Sequence, residues 1–247
     1  MIDPLLKIMR QLRDPKTGCE WDKVQTFESI APYTIEESYE VSDAIDRDDM
    51  DALKDELGDL LLQVVFHSQI ATDEGHFEFG DVVESICLKM KRRHPHIFGN
   101  ADKSPGWEEI KASERHEKGT NSALDGVAIA LPALLRAQKI QKRAARVGFD
   151  WPDVKQVLEK VHEELGEVEE ASTPESIQEE IGDLLFATVN LARHHNIDAE
   201  NALKMATNKF ESRFESVEEQ AGNELTELPL KQLEEFWRRA KEKEKAS

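Results

Sequence analysis

The sequence predicts an all-α protein of two tandem four-helix units, and three observations carry that expectation. Helix formers (Ala, Leu, Glu, Lys, Gln) fill most segments, whereas alternating β-branched runs are hard to find and aromatics make up only 6%. Apolar residues recur at spacings of three and four, the period of one helix face. The chain also repeats itself: residues 36–65, EESYEVSDAIDRDDMDALKDELGDLLLQVV, run parallel to residues 163–189, EELGEVEEASTPESIQEEIGDLLFATV.

The match extends outward on both sides. Trp21 answers to Trp151, Lys89 and Arg93 answer to Lys209 and Arg213, and Trp107 and Lys111 answer to Trp237 and Lys241. Two copies of one unit, residues 1–118 and 119–247, therefore make up the chain. The join is expected in 116–126, HEKGTNSALDG, where Gly, Asn, Ser and Thr interrupt the helical pattern. In the second unit, Val154–Ala171 reads as a helix with Leu158, Val161, Leu165 and Val168 on its apolar face. Thr173-Pro174 breaks it, and Pro174 suits the first turn of the next helix, which runs to about His194. A third helix covers about Ala199 to Gln220, and a fourth about Leu230 to Lys245. The first unit gives the same order. The basic segment Arg136–Arg146 reads as a further helix pairing with acidic neighbours.

Charge narrows the function. With 51 Asp+Glu against 32 Lys+Arg, the net charge is −19. A surface of this sign repels a nucleic-acid backbone and an anionic membrane alike, so neither is expected as a partner. A phosphate ligand needs a local cation cluster or a metal to reverse the field. Cys19 and Cys87 are too few for a disulfide framework and are expected as reduced thiols. The apolar run Val127–Leu135 contains Pro132 and is far shorter than the roughly 18 residues of a membrane span. The N-terminal MIDPLLKIMRQLRD lacks a signal-peptide layout, so a cytoplasmic location is expected.

Each unit carries E-E-x-x-E and then E-x-G-D. The acids are Glu36, Glu37, Glu40, Glu56 and Asp59 in the first, and Glu163, Glu164, Glu167, Glu180 and Asp183 in the second. A spacing of three puts both acids of a pair on one helix face, and two pairs on adjacent antiparallel helices converge. Carboxylates that close repel unless a cation sits among them. Oxygen donors without Cys or His specify a hard divalent ion, Mg2+ with Mn2+ as a substitute. The helices that follow Asp59 and Asp183 are apolar nearly all round, as buried helices are, so the acids at their starts are expected to be semi-buried. Gly58 and Gly182 sit between the two acids, where glycine costs a helix about 1 kcal/mol, which suggests close approach of a ligand or another helix.

A carboxylate-held Mg2+ leaves positions open for phosphate oxygens. Lys209 and Arg213, four apart, reach one side of their helix, and Lys160 stands one turn before Glu164; these supply the local cations. Trp237 either stacks on a base or covers a core edge, and the second reading is the commoner one for a lone Trp. Asn190, polar within an apolar helix two turns beyond Asp183, needs hydrogen-bond partners that the site would supply. A ferritin-like di-metal oxidase needs two E-x-x-H motifs, and only Glu159-x-x-His162 is present. A non-catalytic acidic helical partner gives no reason for Lys209, Arg213 and Asn190 to accompany the acids. No G-x-x-x-x-G-K-[ST] phosphate loop occurs.

With these residues the chain resembles the all-α nucleotide pyrophosphohydrolases, the MazG family. Blocks that carry the likeness include GCEWDKVQTF, APYTIEESYEV, DELGDLLLQVVF, RRHPHIF, LPALLRAQKIQKRA and EIGDLLFATVNLARH. The resemblance implies tandem four-helix MazG domains assembled as a homodimer. It also implies Mg2+-dependent hydrolysis of ribo- or deoxyribonucleoside triphosphates to monophosphate and pyrophosphate. By the same resemblance Glu164, Glu167, Glu180 and Asp183 are metal ligands, and Lys160, Glu163, Lys209, Arg213 and Trp237 contact the nucleotide. The C-terminal unit is implied to be the active one, and the two units differ accordingly: Phe66 and Tyr33 stand where the second unit has Asn190 and Lys160. The first unit keeps Glu37, Glu40, Glu56 and Asp59, so a second metal site is possible there. Ser176 stands where the family pattern has a basic residue.

Overall fold

A computed structural model describes residues 2–99, 110 and 122–246. All the regular structure in these residues is helical. The chain divides into two compact units, Met1–Glu114 and Arg115–Ser247. The division expected after residue 118 lies outside the described residues, as do Trp107, Lys111 and residues 116–121 of the expected join.

In the first unit, α1 (Asp3–Leu12) lies against α3 (Met50–Asp73), which forms a long hairpin with α2 (Phe27–Asp46). Helices α4 (Phe79–Arg93) and α5 (Pro95–Phe98) follow. Thr26 and Ser29 close a reciprocal cap at the start of α2, and the Asp49 carboxylate caps α3 by accepting from the Ala52 amide. Met9, Ile30, Val65, Phe66 and Ile70 form the core between the three elements.

The second unit contains α6 (Ala133–Arg146), α7 (Val154–Glu170), α8 (Pro174–His194), α9 (Ala199–Ala221) and α10 (Leu230–Ala246). All four helices expected here form, with ends within a residue or so of the sequence reading. Local chemistry fixes the boundaries. Asp153 caps α7, Pro174 occupies the first turn of α8 behind the Thr173 cap, and Asp198 caps α9 by accepting from the Asn201 amide. Gly222, at φ 57°, ends α9 in the left-handed region. Helices α7 and α8 pair as a hairpin, α9 packs mainly on α10, and α6 lies against α8 and α9.

The basic segment at 136–146 forms the expected helix, α6, whose Leu135 amide donates to the Glu200 carboxylate and whose glutamines bond neighbouring main-chain groups. Gln138 donates to Ile197 O at 2.8 Å and accepts from the Ala199 amide at 3.2 Å; Gln141 donates to Phe186 O at 2.8 Å. The Arg143 guanidinium reaches the Asp125 and Gly126 carbonyls.

Two expectations are corrected in part. The helix beyond Asp59 is buried nearly all round, at Gln63, Val65, Phe66, Ser68, Ile70 and Ala71, whereas the helix beyond Asp183 is buried on one side only: Val189 and Asn190 are buried, and Leu185 is 51% and Phe186 46% exposed. On α7, Leu158 and Leu165 stand nearly half exposed, so its apolar stripe is only partly covered within this chain. No other helix closely approaches the glycines between the acids, because a Cβ on Gly58 or Gly182 would find nothing within 4 Å; of the two expected neighbours, a helix is the one overturned. Periodicity marks a face as apolar without saying what covers it.

Candidate metal centre

The antiparallel α7–α8 hairpin brings the second acidic set together. Carboxylate oxygens of Glu164, Glu180 and Asp183 lie within 4.8 Å of one another. Glu164 is buried, at 5% exposure, because its position on α7 faces α8; Glu180 is half-buried and Asp183 exposed. A carboxylate that deep needs a counter-charge. Lys160, one turn earlier, supplies it, with Nζ 2.6 Å from Glu164 Oε1 and 2.7 Å from Glu163 Oε1. Its hydrogen bonds, first to Glu163 and then to Glu164, hold the ammonium above the ordinary lysine range. Glu167 is not one of the converging three. Its carboxyl hydrogen-bonds Glu164, and that bond, then burial, then the Glu164 charge push it above the usual carboxylate range. Glu163 stays exposed and tied to Lys160.

The three carboxylates fit a hard divalent cation. The donors are all oxygen, and the clustered negative charge that raises Glu167 is what a cation relieves. A cleft opens from this cluster, lined by Lys160, Glu164 and Asp183 at one end and by Trp151, Phe186 and Asn190 toward the other. Asn190 is 5% exposed, and Arg193 is the partner that its side chain finds. Lys209, Arg213 and Trp237 form part of a separate group. The Arg213 guanidinium lies 5.8 Å from the Trp237 ring centroid and hydrogen-bonds Glu244 at 2.7 Å, while Phe210 packs 5.1 Å from the same ring. Lys209 is exposed on the same helix. Among the described residues no hydrogen bond, ion pair or ring contact joins this group to the carboxylates. Ser176 closes the cap of α8, where its hydroxyl accepts from the Thr173 amide and its own amide donates to Thr173 Oγ1.

Trp151, Phe186 and Arg193 were not singled out by sequence reasoning as site residues. Trp151 served only as a landmark of the repeat, and an apolar residue that lines a cleft has the same spacing as one that fills a core. For Arg193 the available signal was its position three residues after Asn190, one turn along the same face.

In the first unit Glu37, Glu40 and Glu56 converge in the same way, with Asp59 outside the group. Burial, then the charges of Asp59 and Glu40, raise Glu37; burial, then Glu40, raise Glu56. No lysine answers to Lys160. Instead Trp21 packs edge-on against both Tyr33 and Phe66, at 6.1 and 6.2 Å between centroids, so aromatic rings take the positions of Lys160 and Asn190. Gln63 donates to Glu37 at 3.4 Å, and its buried Oε1 has no partner.

The MazG nucleotide pyrophosphohydrolase domain matches the sequence twice, at residues 25–98 and 153–218, the segments that carry the two hairpins. The chain belongs to the MazG family. It is 51% identical, over 98% of both chains, to the nucleoside triphosphate pyrophosphohydrolase of Escherichia coli (strain K12). It is 49% identical to the nucleoside triphosphate pyrophosphohydrolase/pyrophosphatase MazG of Thermotoga maritima, over 98% of this chain and 96% of that one. A nucleoside triphosphate pyrophosphohydrolase of Mycobacterium tuberculosis is 39% identical over 54% of this chain and 42% of its own length.

Proposed function

We propose that this MazG protein hydrolyses ribo- and deoxyribonucleoside triphosphates to the monophosphate and pyrophosphate, with Mg2+, or Mn2+ in its place, held by Glu164, Glu180 and Asp183 beside Glu167. The observation that carries the reading is the buried Glu164, bridged to Lys160, within a carboxylate cluster that opens into a cleft walled by Trp151 and Phe186. The relatives' names point to the same chemistry.

When bound, Mg2+ supplies the positive charge that polarises the α-phosphate and makes a water acidic enough to attack it. The chain's residues do the rest. Glu164, Glu180 and Asp183 fix the place of the charge, and Glu163 holds the Lys160 ammonium beside it. Water oxygen bonds to the α-phosphorus and loses its proton to solvent as the bond to the bridging oxygen breaks, and pyrophosphate leaves with the electron pair. Lys160 offsets the charge on the leaving group, and Lys209 and Arg213, with Trp237 flanking Arg213, reach the nucleotide only once Arg213 leaves its Glu244 partner. The first unit retains a second acidic set for metal, beside which Trp21, Tyr33 and Phe66 pack where the second unit has Trp151, Lys160 and Asn190. A homodimer would cover the apolar faces of α7 and α8. Exposed free thiols at Cys19 and Cys87 suit a reducing cytoplasm, and no described helix is long and apolar enough to cross a membrane.

The test is product identification: protein and Mg2+ with each of the eight common nucleotides should release monophosphate and pyrophosphate. Release of diphosphate and orthophosphate overturns the proposal.

A further inference from the structure

The cleft of the second unit has a charged end and an apolar end. Glu164 and Asp183 mark the first, and Trp151, Val157 and Phe186 wall the second, where Asn190 supplies the polar group. Asp183 and Asn190 are two turns apart on α8, a rise of about 10 Å at 1.5 Å per residue. That span suits a nucleoside lying between its α-phosphate and the outer edge of its base.

The Asn190 amide is not free to turn. Its Oδ1 accepts from Arg193 Nε at 2.9 Å and from Arg193 Nη2 at 2.7 Å. Arg193, with 11% of its side chain exposed, is itself held by Asp150: Nη1 donates to Oδ2 at 2.9 Å, and Nη2 pairs with Oδ1. His194 Nε2 stands 3.1 Å from the same Asp150 oxygen. An amide has one accepting end and one donating end. With a guanidinium on the oxygen, the NH2 is the end left for a ligand; a flip would set donor against donor. Trp151 directly follows Asp150, so one carboxylate anchors both the wall and the polar reader. The first unit has Glu20, Phe66 and Gln69 at the matching positions, and Glu20 pairs locally with Lys23.

We infer that this cleft receives the nucleobase, and that Asn190, oriented by Arg193 and Asp150 as positioning residues, donates to a keto oxygen at purine C6 or pyrimidine C4. Keto bases are then preferred over amino bases at that position. The inference rests on the nucleoside triphosphate reading of the same site. Its chemistry is that a keto oxygen accepts whereas an exocyclic amine donates, so an amine facing the locked NH2 leaves both groups unpaired.

The experiment measures kcat and KM for two pairs of substrates, inosine against adenosine triphosphate and uridine against cytidine triphosphate. Wild type should favour the keto member of each pair by about tenfold in kcat/KM, carried by KM. Asn190→Asp turns an acceptor toward the cleft and should reverse the preference. Arg193→Ala frees the amide and should bring both ratios toward one, with kcat for the keto substrates changed by less than about threefold, as expected for loss of uniform binding. Arg193→Lys should restore part of the preference. Asp150→Asn, nearly the same shape, reads the same ratio if Arg193→Ala does not fold. Equal kcat/KM across both pairs in wild type, or a preference that Asn190→Asp leaves intact, overturns the inference while nucleotide hydrolysis stands. If wild type releases pyrophosphate from none of the four, the functional reading falls and takes this inference with it.

Discussion

At Glu164 a buried carboxylate meets two others and one lysine, and the two units differ in what surrounds that carboxylate more than in the acids themselves. Glu180→Gln removes one of three converging charges from the unit with an open cleft and should lower kcat/KM by at least about 100-fold. Glu56→Gln touches a set that has aromatic rings in place of Lys160 and Asn190 and should leave most of the activity. Equal losses in the two variants would show that the first unit also works. Asp150 gives a second prediction. Its hydrogen bonds from Arg193 hold its carboxyl below the usual range. A depressed folded pKa contributes stability that is present above the unfolded value, about 3.9, and is lost as pH falls through the folded one. Asp150→Asn should therefore melt below wild type near neutral pH, and the gap should close as pH falls below about 4. A gap that stays constant to pH 2 would mean that the Asp150 charge contributes nothing. The acids were legible in the sequence because a doubled, helix-spaced polar pattern has few alternatives, and Lys160 and Asn190 because each is a polar residue at helical spacing from those acids. The Arg193–Asp150 pair was not, since its partners are 43 residues apart and only folding joins them.

The α7–α8 hairpin is the element that makes the site, and its own charges oppose it. Like-charged oxygens converge between the helices, and Glu167 is pushed up by its contact with Glu164. A cation bound to the folded hairpin, and not to the unfolded chain, stabilises it by mass action, about 2.7 kcal/mol at 100 times its dissociation constant. That corresponds to a rise of roughly 5–10 °C in the melting transition of the second unit. Saturating Mg2+ should produce this rise, EDTA should reverse it, and the double variant Glu164→Gln/Glu180→Gln should lose it. Any shift that persists in the double variant reports the Glu37–Glu40–Glu56 set. Wild type that melts at one temperature with Mg2+ and with EDTA would remove the metal assignment. Helix boundaries were legible at this scale because Asp153, Thr173-Pro174 and Asp198 cap or start helices by local chemistry. Which apolar stripes end up covered was not, because period alone does not distinguish a face buried in the chain from one left to a partner. Leu158 and Leu165 kept the expected spacing and stand nearly half exposed.

For the whole molecule two opposing terms decide assembly. Leu158, Leu165, Leu185 and Phe186 on the α7–α8 hairpin, and Leu203 and Phe210 on α9, leave apolar surface in water. Full burial of each such side chain is worth roughly 1.5–3 kcal/mol, so a symmetric pair forms where that gain exceeds the cost of association. Against this stands a net charge of −19 on each copy. Burial of apolar surface is not weakened by simple salt, whereas repulsion between two acidic copies is screened once the Debye length falls to about 10 Å at 0.1 M. The dimer should therefore tighten as salt rises, opposite to the behaviour of a nucleic-acid complex, which loosens. Light scattering during gel filtration should give twice 28.1 kDa at moderate salt, with dissociation on dilution at low salt. Leu185→Lys, which adds a charge to the uncovered face of α8, should shift the protein toward 28.1 kDa at every salt concentration. A wild-type mass of 28.1 kDa throughout would mean that the chain tolerates these faces in water and needs no partner copy to fold. A dimer that loosens with salt would instead place the contact on ion pairs, away from the leucines of the hairpin.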